Sequence, residues 1–211
     1  MRTEDLIERL AREARPVHPL AASLAMAATP ALLATAALLL WGWGLRPDLA
    51  AAWGHPGPVL KAILPATTAA VALAGALRLA RPDGKVGPAR LGLVALGMAA
   101  LALVAMALLR TPAADWGTAL RGETLLACLL SIPALAVLPT ASLLLALRRG
   151  ASPDPLRSGA FAGLAGGGIA AALYALHCPE DHPLFFVTWY GTGILVATAA
   201  GAAMGRRWLR W

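Results

Sequence analysis

Six stretches of mostly apolar residues, separated by short polar turns, constrain this chain more than any other feature, because a helix needs about 20 such residues to cross the hydrocarbon core of a bilayer. They run over Leu20–Leu45, Gly57–Leu79, Leu91–Leu109, Thr124–Leu147, Ser158–Leu176 and Leu184–Gly205. The blocks are continuous Ala and Leu runs and lack the alternation of a barrel strand, so they predict helices. With 59% hydrophobic and 14% charged residues, the apolar surface exceeds what a soluble domain buries. The fold class is therefore all-α integral membrane, a bundle of six transmembrane helices. A cytoplasmic amphipathic leader over 1–19 and a basic cytoplasmic tail over 206–211 flank a membrane domain over 20–205. Ala34-Thr35-Ala36 imitates a signal-peptide cleavage site, but the run around it is too long for a signal core.

Charge sets the orientation, since Lys and Arg near helix ends stay in the cytoplasm. Of 18 such residues, the leader holds Arg2, Arg9, Arg12 and Arg15, and the second loop Arg78, Arg81, Lys85 and Arg90. The fourth loop holds Arg148, Arg149 and Arg157, and the tail Arg206, Arg207 and Arg210. Only Arg46, Lys61, Arg110 and Arg121 fall on the other side. Both termini are thus expected in the cytoplasm. The same rule accounts for the net charge of +7 without any nucleic-acid partner. Trp41, Trp43, Trp53, Trp116 and Trp189 are expected at the outer interface, with Trp208 and Trp211 at the inner one.

Intramembrane charges are sparse, which argues against ion transport. Lys61 is near enough to a helix end to be expected to snorkel outward. Pro30, Pro65, Pro133 and Pro139 are read as kinks in membrane helices. Gly159, Gly163 and Gly167, then Gly193, Ala197, Gly201 and Gly205, line one face of each of the last two helices. Small residues at this spacing let backbones approach closely, either within the bundle or across a homodimer.

Cys128 and Cys178 are 50 positions apart, yet the up-and-down topology brings both near the outer end of neighbouring helices. The depth match is imperfect by about a turn, so their contact is an expectation about topology, not spacing. An extracytoplasmic site permits a disulfide. Cys178 belongs to the segment Leu176-His177-Cys178-Pro179-Glu180-Asp181-His182-Pro183, whose thiolate, imidazole and carboxylate groups suit a soft or borderline divalent ion. Cys128, Cys178, His177, Glu180 and His182 are accordingly the candidate metal or redox residues. Simple packing of Cys178, with His177 and Glu180 capping the helix end, is the plainer alternative. No resident cofactor and no catalytic residues are evident; Asp115 and Glu123 read as solvated loop charges.

The His-Cys-Pro-Glu-Asp run, continuing through Phe185, Trp189-Tyr190 and Gly191, resembles the NrsF-type membrane anti-sigma factors, a six-helix bacterial family. Leu45-Arg46-Pro47-Asp48-Leu49, Cys128-Leu129, Thr3-Glu4-Asp5-Leu6-Ile7 with Pro16-Val17, and the arginine-rich finish before Trp211 extend the match over the whole chain. The resemblance implies a non-enzymatic protein of the bacterial inner membrane. Such a protein holds an extracytoplasmic-function sigma factor at its cytoplasmic face and releases it under stress, with Cys128 and Cys178 toward the periplasm. In that light the leader reads as a short helix capped by Thr3, with Leu6, Ile7, Arg9, Leu10 and Ala14 as the partner-binding set. A helix so short folds on a partner groove or on lipid. A membrane thiol oxidoreductase or metal transporter is the competing class, although the former calls for a Cys-x-x-Cys pair and the latter for polar groups through the bilayer.

Overall fold

The computed structural model describes residues 2–5, 7–8, 20–81 and 84–209. Its principal helices are α1 (Leu20–Gly42), α2 (Leu49–Ala52), α3 (Pro56–Leu79), α4 (Gly87–Arg110), α5 (Trp116–Arg121), α6 (Leu125–Leu147), α7 (Pro155–Tyr174) and α8 (Pro183–Trp208). Six of them, α1, α3, α4, α6, α7 and α8, are long and apolar enough to cross a membrane. No β-strand occurs among the described residues, so the all-helical membrane fold stands.

Helix ends shift from the sequence expectation by a few residues, for local reasons. Proline in the first turn starts α3, α4, α7 and α8, where its missing N–H and fixed φ cost nothing. The first span stops at Gly42, short of Leu45, because Trp43 and Gly44 both donate back to the Leu39 carbonyl. Gly44 has φ +72°, a conformation that suits a residue without Cβ at a helix C-terminus. Arg46 is thereby freed from the helix.

The glycines of α7 organise the bundle. A Cβ added at Gly159 would come within 2.7 Å of Gly205 Cα on α8, and one at Gly163 within 2.9 Å of Thr198 Cα. One at Gly168 would meet Pro65 O on α3 at 2.7 Å, and one at Gly166 would meet Thr140 on α6. Successive residues turn about 100° around a helix, so the run Gly166-Gly167-Gly168 lets α7 touch three neighbours at backbone distance. The small-residue stripe of α7 and α8 is therefore used within the chain, which removes it as a homodimer face.

Around α7 stand α3, α6 and α8, with α1 packed on α6. Helix α4 sits at the periphery against α3 and α8 and leaves Leu91, Val94, Met98, Leu101 and Leu109 exposed, as a lipid-facing helix does. One buried cluster, including Leu24, Leu147 and Leu209, marks the end of the bundle that holds the termini of the membrane domain. Another, including Leu39, Cys128, Tyr174, Cys178 and Phe185, marks the opposite end.

Candidate functional site: a buried thiol pair under an ion-pair clamp

The far end of the bundle is closed by the segment 175–182, and its fold answers the depth mismatch between the cysteines. After α7 stops, His177 N and Cys178 N both donate to the Tyr174 carbonyl at 3.0 Å, which turns the chain back toward the core. Cys178 Sγ consequently lies 3.6 Å from Cys128 Sγ in the first turns of α6. Thr124 Oγ1, one turn earlier, is 3.6 Å from one sulfur and 3.7 Å from the other. Both cysteines are free thiols, and both are 0% exposed.

Two tyrosines flank the pair, with Tyr174 and Tyr190 ring centroids 6.1 Å apart. The Tyr190 hydroxyl is buried and faces the Cys178 sulfur, whose thiol its hydrogen bonding helps to hold down. The Cys178 thiol is held below its ordinary range by hydrogen bonding from Cys128 and, against the opposing effect of burial, by the positive charge of Lys61. Of the two thiols, Cys178 is thus the one that more readily gives up its proton to form the thiolate, the nucleophilic and metal-binding form.

Lys61 corrects the sequence reading. It does not snorkel; it is 0% exposed. Its ammonium donates to Cys178 O at 2.6 Å, Glu180 O at 3.1 Å and Asp181 Oδ1 at 2.6 Å. All three donors of the ammonium are thus used. The opposite carboxylate is shared: Arg46 Nη1 donates to both Asp181 oxygens at 2.9 Å and to Cys178 O at 3.4 Å. The remaining guanidinium edge is bidentate on Asp48, at 2.7 and 2.8 Å. This pairing raises the Arg46 pKa further and holds Asp48 below the usual carboxylate range. The clamp also includes Arg46 N donating to Leu176 O at 3.1 Å. Sequence reasoning placed Arg46 among the few outer-side charges and, with Asp48, in a matching motif, and Asp181 only in a metal-like run. The signal available was the pairing rule: a lysine inside a membrane helix calls for a buried carboxylate.

Of the five candidate metal or redox residues, only Cys128 and Cys178 are brought together. His177 Nδ1 donates to Gly44 O at 3.2 Å. Glu180 Oε1 accepts from Glu123 N at 2.7 Å. His182 caps α8 by accepting from Leu184 N at 3.3 Å, while its Nε2 is 3.2 Å from Thr111 Oγ1. Each fastens the cysteine segment to a different neighbouring loop. Among the described residues no three His, Cys, Asp or Glu side chains are grouped as metal ligands. In the leader, residues 3–5 and 7–8 are helical and Ile7 is 61% exposed. Leu6, Arg9, Leu10 and Ala14 lie outside the described residues.

A family model described as "Negative regulator of sigma F" matches residues 10–211. The chain is 37% identical, over the full length of both proteins, to the "Probable anti-sigma-F factor NrsF" of Azospira oryzae. It is also 37% identical, again over both full lengths, to the "Anti-sigma-F factor NrsF" of Caulobacter vibrioides. No solved structure matches. The names describe regulators and not enzymes, which disposes of the oxidoreductase alternative. With a buried thiol pair at one end, exposed leader residues and a family match over nearly its whole length, the chain belongs to the NrsF family of anti-sigma factors.

Proposed function

We propose that this protein sequesters an extracytoplasmic-function sigma factor at the cytoplasmic face of the bacterial inner membrane. Release follows when Cys128 and Cys178, on the periplasmic side, are oxidised or bridged by a soft metal ion. The observation that carries this reading is the 3.6 Å separation of two buried sulfurs on different elements. Disulfide formation brings them about 1.5 Å closer. Both S–H bonds break, the S–S bond forms, and two electrons and two protons pass to the oxidant. A soft ion would instead replace both thiol protons and be held by the two thiolates.

The sign of the lysine and arginine asymmetry supports the orientation. It puts the leader, with Leu6, Ile7, Arg9, Leu10 and Ala14, on the cytoplasmic side beside the basic loops. The leader docks in a groove of the sigma factor as a short amphipathic helix. Either trigger acts only through a different affinity for the holding and released states. Here the difference comes from the sulfurs, which are in contact but unbonded while the partner is held. Two measurements test the reading. A sigma factor should copurify with the detergent-solubilised protein and be lost on deleting Met1 to Arg15. Changing Cys128 and Cys178 together to Ser should abolish stress-induced release, and unchanged induction refutes the sensing role.

A further inference from the structure

The thiols have no exposed surface, so a molecule that reacts with them reaches them only when part of the surrounding wall opens. Two walls hold the cysteine segment, and they are built differently. On one side is the clamp, where the buried Lys61 and Arg46 share the Asp181 carboxylate. Parting such buried charges is costly. On the other side is the stretch 112–123, between the end of α4 and the start of α6. Neither α5 nor the short turn Ala113–Asp115 before it contributes a buried residue. Elements with so little burial are the first to open in a folded chain.

Two hydrogen bonds latch this stretch to the rest of the site, both at the surface. Trp189 Nε1 donates to Leu120 O at 2.7 Å, and Glu123 N donates to Glu180 Oε1 at 2.7 Å. Trp116 Nε1 donates to Thr111 O at 2.9 Å, which ties the stretch only to its own root. Water competes for exposed bonds, so each latch holds weakly. Between the latched residues is Gly122, with φ +53° and ψ −168°, a conformation that belongs to glycine. A Cβ there would come within 2.6 Å of the Phe185 ring and 2.8 Å of the Glu180 carboxyl carbon, so at Gly122 the backbone lies directly on these two side chains. At the same seam is a polar cleft of about 610 Å³, lined by Thr118, Arg121, Gly122, Glu123, Pro179 and Glu180. Pro179 adjoins Cys178 in the chain. Thr124, the residue after Glu123, has its Oγ1 against both sulfurs.

We propose that residues 112–123 form a gate over the thiol pair, jointed at Gly122 and latched by Trp189 and Glu180, through which a small water-soluble thiol reagent enters by way of the polar cleft. The inference rests on reading the pair as the place where the signal acts, and adds how the signal gets in. Opening the gate breaks two surface hydrogen bonds and uncovers no buried side chain of α5, while the clamp stays closed and keeps the cysteine segment in place. Arg121, Glu123 and Glu180 in the cleft suit a hydrated species and not one arriving through lipid. Glu180 and Trp189 are positioning residues, since they hold the gate.

The test uses the full chain, reduced, in nanodiscs and without the sigma factor, treated with iodoacetamide. This reagent is small and uncharged, so loss of the Glu180 charge does not alter its approach. Mass spectrometry reads the alkylation rate at each of the two cysteines. Trp189→Phe and Glu180→Ala should each raise the Cys178 rate about fivefold, and together about 25-fold. Glu180→Gln keeps an oxygen for Glu123 N and should stay within about twofold of wild type, although it loses the same charge as Glu180→Ala. Gly122→Ala strains the closed gate and should raise the rate about tenfold. Gly163→Ala crowds the α7–α8 contact away from the gate and should leave the rate unchanged. Unchanged Cys178 rates in the latch variants overturn the gate and leave the thiol switch to the double-serine test. Glu180→Gln behaving as Glu180→Ala overturns the latch. Equal acceleration in Gly163→Ala assigns the opening to the whole bundle and overturns the gate, as does acceleration in Asp181→Asn alone, which puts the entrance at the clamp.

Discussion

Asp181→Asn isolates the clamp over the cysteine segment. The substitution keeps an oxygen acceptor in place but removes the negative charge that faces Lys61 at 2.6 Å and Arg46 at 2.9 Å. Lys61 is then a fully buried cation facing only neutral oxygens, while Arg46 retains Asp48. Removing one partner of a buried ion pair costs about 3–5 kcal/mol. Asp181 is 28% exposed and the amide keeps a hydrogen bond, so the lower end, about 3 kcal/mol, applies. For a chain of this size that corresponds to a fall in Tm of about 6–12 °C. The assay is thermal unfolding in detergent read by a dye that becomes fluorescent on reacting with thiols. It reports this site directly, because the only two cysteines are the buried pair. Adding Lys61→Met removes the stranded cation, so the double variant should be more stable than the sum of the single changes predicts. A Tm within about 1 °C of wild type for Asp181→Asn, well short of the shift expected, or strict additivity in the double variant, refutes the clamp.

Gly163→Leu drives a side chain into the α8 backbone around Ala197. Overpacking of this kind costs about 1–3 kcal/mol or more, so the yield of monodisperse protein should fall. Gly97→Ala, in open space, should leave that yield unchanged. The carboxylate of Asp48 has its pKa depressed from 3.8 by its hydrogen bonds to Arg46, which fixes the sign of its pH effect. Its contribution is fully present above the ordinary value and is lost as pH falls through the depressed one. Thermal stability should therefore be unaffected by Asp48 titration near neutrality and decline only below about pH 4. Asp48→Asn should flatten part of that acid decline in a series of melts.

The six spans were legible because bilayer thickness converts directly into run length. The close packing of α7 on α8 was legible because glycine at every fourth position has few other uses in a membrane helix. Cysteine proximity followed from topology alone, and the local turn that sets their depth did not, since it depends on one carbonyl, that of Tyr174, taking two N–H groups. The ion-pair clamp was hidden for a different reason. Arg46 and Asp181 are 135 positions apart, and each stands in a loop where solvated charge is the ordinary expectation. Only the end of α1 at Gly42, with the turn at Gly44 that follows it, exposes Arg46 to the cysteine segment, and only burial of Lys61 requires a partner there.

If the cysteine pair acts as the proposed switch, the clamp bears on how a change at the sulfurs would reach the other end of the bundle. Cys128 is in α6, whereas Cys178 is on a segment tied through Lys61 to α3 and through Arg46 to the turn after α1. A bond between the sulfurs therefore joins two bodies: α6 on one side, and the clamp with α3 and the α7–α8 connection on the other. At their interior the helices have little freedom to bend independently, because Gly166 and Gly168 leave no space between α7 and its neighbours. Tightly packed elements of this kind respond by small rigid shifts between discrete arrangements, not by local deformation. Closing the sulfurs by about 1.5 Å thus supplies a displacement of the order by which helices slide in known switches, about 1–2 Å. It acts between α6 and α7, whose connection, Arg148 to Asp154, stands at the end of the bundle where α1 begins.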